Sequence, residues 1–158
     1  MPESDDLLRA GEQALESARL SEPEANVHSP LRNIVTRNMA QAAAHLARYR
    51  KFREDGFREE NSAEIRVEAL FLAAFHHIEA CAAHHGAHIN KHQNVRKELD
   101  ANTFIFGPET ATVWKAFQEL ETRIRPKFVY GSRWTAADFE RAKKEFGIIE
   151  ACCRKVVP

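Results

Sequence analysis

Apolar residues along this chain recur every three to four positions and are separated by few breakers, the spacing of helices rather than the alternation of strands. Residues 4–20, SDDLLRAGEQALESARL, carry Leu7, Leu8 and Leu15 at that spacing behind an acidic start, and predict a short amphipathic helix. A polar connection containing Pro23 follows. Ser29-Pro30 then reads as an N-cap with proline in the first turn. From there Ile34, Met39, Ala42, Leu46, Tyr49 and Phe52 predict one helix to about residue 54, with Gly56 near its end. Its other face holds Arg37, Arg48, Arg50, Lys51 and Arg53, read as a solvated surface.

Asn61 with Glu64 resembles a capping box for the most apolar helix of the chain, about 62–85, through Val67, Leu70, Phe71, Phe75, Ile78 and Cys81. Gly86 is the expected stop. NVRKEL, 94–99, opens a short helix. FGPET, 106–110, starts a helix over about 108–125 that Pro126 should end, leaving KFVYGSRW as a loop. Thr135 with Asp138 forms a second capping box, opening a last helix over about 136–155. The pattern predicts an all-α protein: an antiparallel up-and-down four-helix bundle with a short extra helix and an N-terminal helical extension. Residues 1–29 form the extension and linker, and residues 30–158 the bundle.

The length of 158 residues suits one domain with a substantial core. Lys+Arg and Asp+Glu both total 23, so no overall basic footprint for nucleic acid exists, although local patches remain open. Three cysteines, two of them adjacent, do not read as a disulfide framework. No stretch reaches the roughly 18 apolar residues of a membrane span, and no apolar leader is seen. A cytoplasmic protein without membrane partner is expected, and no cofactor is implied.

Six of the eight histidines lie in AAFHHIEACAAHHGAHINKH, residues 73–92. At helical spacing His77, Cys81, His84 and His88 share one stripe, which invites a metal. Gly86 should end the helix before His88, Cys81 lies among apolar residues, and HExxH and CxxC are both absent. The stretch is therefore read as a core helix end, and a metal site at His77, His84 and His88 is the alternative. Glu79 is the acid nearest in sequence. After Gly86, His88, Lys91, His92, Arg96 and Lys97 form one basic run; Arg123, Arg125, Lys127 and Arg133 form another, interleaved with Phe128, Tyr130 and Trp134. Cations beside aromatics suit phosphates and stacked bases.

Three stretches carry a resemblance to the HEPN (higher eukaryotes and prokaryotes nucleotide-binding) family: EALFLAAFHHIEACAAHHG, HINKHQNVRKEL, and LETRIRPKFVYGSRWTAADFERAKKEFGIIEACCRKV. It covers roughly residues 30–156. The resemblance implies a dimeric four-helix bundle, often partnered by a small nucleotidyltransferase as toxin and antitoxin. It also implies metal-independent RNase activity in members with an Arg-x(4–6)-His motif. That motif is absent here: Tyr130 stands where the spacing from Arg125 would want His. The leading expectation is a non-catalytic, homodimeric nucleotide- or RNA-binding module using His88, Lys91, His92, Arg96, Arg123, Arg125 and Tyr130. The alternative is an endoribonuclease whose catalytic residues come from Arg125, His92 and Tyr130, with His92 recruited from outside the motif.

Overall fold

The computed structural model describes residues 38–131 and 133–158. The expected helix over 4–20 and the Ser29-Pro30 start lie outside them. Among the described residues there are helices and no strand, as the apolar spacing requires.

Helix α1 spans Met39–Phe57. Its start corrects the expected uninterrupted helix from 30 to 54. Asn38 has φ −98° and ψ 82°, outside the helical region, and its Oδ1 accepts from Gln41 N at 3.0 Å, an N-cap. Asn38 N–H instead donates to Ala83 O at 3.0 Å, near the far end of the next helix. The two helices therefore run antiparallel from a pinned end. Gly56 does not stop α1; it lies one residue before the end, where a Cβ would come within 2.7 Å of Leu70 Cδ2.

Helix α2 spans Ala63–His84. Its cap is Ser62, whose Oγ accepts from Ile65 N at 3.4 Å, not Asn61 as expected. Asn61 is drawn away because its amide donates to Asp55 O at 2.9 Å, across the α1–α2 turn. At the other end Ala87 N–H donates to Ala82 O (2.8 Å) and Gly86 N–H to Ala83 O (2.9 Å), a Schellman closure, with Gly86 at φ +77°. α2 is the central helix of the bundle: Val67, Leu70, Phe71, Ile78 and Cys81 are fully buried.

A 3₁₀ turn, His92–Asn94, leads into α3, Val95–Ala101. A second 3₁₀ turn, Gly107–Glu109, leads into α4, Thr110–Glu119. Pro126 does not end this helix. A π-helical turn over Leu120–Ile124 widens the chain just before it, and α5 continues as Arg125–Val129. Proline lacks an N–H and its ring clashes with the carbonyl four residues back in a regular helix; a wider turn removes that conflict. Residues 127–129 are accordingly helical rather than loop. The capping box at Thr135 and Asp138 opens α6, Ala136–Arg154, as the sequence indicates. Phe117 from α4, Ile124 from the π turn, and Phe146 and Ile149 from α6 close the core against α2.

Candidate functional sites

Two of the predicted residues, Arg125 and His92, meet at Phe71 on the buried side of α2. Arg125, in the first turn of α5, forms a bidentate ion pair with Glu68 (Nε–Oε2 2.6 Å, Nη2–Oε1 2.9 Å). Its guanidinium lies 4.5 Å above the Phe71 ring. His92 meets the same ring edge-on at 5.4 Å, and its Nδ1 is 2.6 Å from Glu121 Oε1. Residues separated by 33 positions in sequence thus share one aromatic platform. The other predicted residues do not join them in a single patch. Arg96 lies over Trp114 at 5.3 Å and 3.7 Å from Asp100. Arg123 faces Glu119, and His88 Nδ1 is 2.7 Å from Gln41 Nε2. Lys91 and Tyr130 are exposed. Most of these cations already have an acid or an aromatic ring beside them, which weakens a continuous phosphate track along this face.

The stripe proposed for a metal divides. His77 is buried, with a ring nitrogen within 4.8 Å of the sulfurs of Cys81 and of Cys153 from α6, while His84 packs edge-on against His85 and His88 is held by Gln41. Cys81 Sγ lies 3.5 Å from Cys153 O. Burial pushes the Cys153 thiol well up and lowers His77 to about 4. His77 Nε2 lies 3.3 Å from Val157 O, so it is the protonated nitrogen, and the buried Nδ1 has no hydrogen-bond partner among the described residues.

His77 also lines a cavity of about 790 Å³, beside Tyr49, Phe57, Arg50, Arg53, Arg58 and Arg154. Among the described residues the only acid on its wall is Glu54, which binds Arg58 at 2.6 Å. Behind the wall, Glu150 organises the site: it accepts from Tyr49 Oη and from Arg53 Nε (2.5 Å) and lies 3.3 Å from Arg154. Of the α1 cations read as a solvated face, Arg48, Arg50 and Lys51 are exposed as expected, and Arg50 and Arg53 also line the cavity. The missed signal was a partner in another element: Arg154 lies about a hundred residues from Arg50 and Arg53, and no local spacing joins them.

A fourth cluster was also not expected. His45 of α1 and His76 of α2 both direct Nδ1 toward Glu79 Oε2, at 3.1 and 2.7 Å, and the two Nδ1 atoms are 3.4 Å apart. His45 and Glu79 are buried and His76 is half-buried, stacked beneath Phe52 with centroids 5.5 Å apart. His76 and Glu79, three apart on one helix, are visible in the sequence as neighbours; His45 is brought in by the antiparallel pairing of α1 and α2.

No family model, curated protein or solved structure matches the chain. No helix among the described residues is long and apolar enough to cross a membrane.

Proposed function

We propose that this chain is a HEPN-like helical-bundle module that binds a phosphate-bearing ligand, a nucleotide or RNA, in the arginine-lined cavity between α1 and α6. The observation that carries the reading is the convergence of Arg50, Arg53, Arg58 and Arg154 on one 790 Å³ space with a single acid among the described residues of its wall. Guanidinium groups present planar forks to phosphate oxygens, and Tyr49 and Phe57 supply ring surface beside them. Arg53 and Arg154 are oriented by Glu150, while Arg50 and Arg58 stand at the exposed rim.

The test is binding of ADP and of a short single-stranded RNA to the purified chain at several salt concentrations. Affinity should fall as salt rises, and Arg50→Ala with Arg58→Ala should weaken it by roughly tenfold or more, the size of one or two lost charge-assisted contacts. Equal affinity in the double variant and the parent would end the reading.

The placement of Arg125 and His92 on one Phe71 ring favours a second reading, a ribonuclease with His92 in place of the family's motif histidine. In it Arg125 steadies phosphate charge and His92 moves the proton. Labelled RNA should be cleaved by the parent and not by Arg125→Ala or His92→Ala; an uncleaved substrate with the parent would remove it. Ile65, Val129 and Trp134 leave apolar surface at solvent, which supports the homodimer that the resemblance implies. Light scattering that shows a monomer at every concentration would remove that part.

A further inference from the structure

The His45–His76–Glu79 cluster has a composition that the bundle does not need for packing. α2 is the most apolar helix of the chain, and Glu79 and the two imidazoles place a carboxylate and two ring nitrogens at its contact with α1, where alanines and leucines fill the neighbouring positions. Three ligand atoms of the kinds that bind zinc-type ions point at one another rather than at solvent. They form a triangle with sides of 3.4, 3.1 and 2.7 Å. Bonds of about 2.0–2.1 Å to a tetrahedral ion separate ligand atoms by roughly 3.3 Å, so small rotations of His76 and Glu79 suffice to admit one.

We propose that His45 Nδ1, His76 Nδ1 and Glu79 form a binding site for a single zinc-type divalent transition ion, leaving a fourth position for water or a ligand.

Three considerations favour this over a purely structural hydrogen-bond network. Both imidazoles present the same nitrogen to the same carboxylate oxygen, an arrangement in which one ion replaces two protons without moving a helix. Glu79 places a carboxylate in a buried contact. A divalent ion offsets the carboxylate directly. His76 provides the access, since its side chain is the one partly open to solvent. The buried His77–Cys81–Cys153 group is the competing location. Its Cys153 thiol would have to ionise in the core, and burial opposes that.

The test is titration of chelator-treated protein with Zn²⁺ by calorimetry and with Co²⁺ by absorption spectroscopy. One ion per chain should bind. His76→Ala and Glu79→Gln should each weaken binding by roughly tenfold or more, and Cys153→Ser should leave it unchanged. The Co²⁺ spectrum of the unmodified protein should lack the thiolate-to-metal charge-transfer band, and this readout stands even where a variant fails to fold. Absence of binding would overturn the proposal. So would affinity unchanged in both variants, or a thiolate band that disappears with Cys153→Ser.

Discussion

The Tyr49 ring lies against the His77 imidazole, with centroids 3.8 Å apart and planes inclined by 27°. Tyr49 comes from α1 and His77 from α2, and together they separate the arginine cavity from the core. The stack covers an imidazole whose Nδ1 has no partner among the described residues, in surroundings that disfavour its charged form.

That burial makes stability depend on pH. His77 titrates at about 4 in the folded chain, against about 6.5 for a free imidazole. Between those values the unfolded chain holds a proton that the folded chain does not. Stability is therefore present above pH 6.5, falls as pH drops toward 4, and levels below it; the full change is about 3 kcal/mol. His45 shifts in the same direction, chiefly by burial, and adds to it. Urea midpoints measured at neutral pH and near pH 4 should differ less in His77→Gln, which cannot take up the proton, than in the parent. An identical difference would remove His77 as the source.

Glu150 has the opposite sign. Burial alone would raise its carboxyl pKa, but hydrogen bonds from Arg53 and Tyr49 and the charges of Arg53 and Arg154 outweigh burial and hold it below the ordinary carboxylate range. Its contribution is present at neutral pH and is lost as acid protonates the group in the folded chain. Glu150→Gln should lower stability by roughly 1–3 kcal/mol at pH 7 and flatten the acid limb of the denaturation profile. It should also weaken ADP binding, since Arg53 and Arg154 lose their common anchor.

Gly56 lies where α1 touches α2. A methyl group there would stand 2.7 Å from Leu70 Cδ2 and 2.8 Å from Leu70 Cγ, and Leu70 is itself fully buried. Helix propensity favours alanine by about 1 kcal/mol, but forcing two packed helices apart costs about 1–3 kcal/mol. Gly56→Ala should therefore lower the melting temperature, and Gly147→Ala, with nothing within 4 Å of its Cβ position, should raise it slightly.

The capping box of α6 is testable alone. Thr135 Oγ1 accepts from Asp138 N at 3.2 Å, and Asp138 Oδ2 accepts from Thr135 N at 2.9 Å. Asp138 also binds Lys127 of α5 at 2.6 Å. Thr135→Ala should cost about 1 kcal/mol and Asp138→Ala somewhat more, because it removes the Lys127 contact as well. Thermal melts of the two variants give the comparison.

How far the sequence reached differs by feature. The capping box at Thr135 and Asp138, the stop at Gly86 and the apolar stripe through Leu70, Ile78 and Cys81 are all local, and the described structure has them. Pro126 shows the limit of a local rule: a proline usually ends a helix, and here a π-helical turn ahead of it lets the helix continue. The spacing of Asn61 to Glu64 fits a cap, but a carbonyl on the preceding helix captures the Asn61 amide.

What the sequence determined by itself is the all-α character and the identity of the buried helix, because both follow from periodicity within a few turns. The sites were decided by the tertiary structure. Arg125 meets His92 on Phe71, Arg50 meets Arg154 around one cavity, and His45 meets His76 and Glu79 only when antiparallel helices bring distant positions together. Side-chain chemistry is local, whereas the neighbours that give it a purpose are set by packing across the bundle.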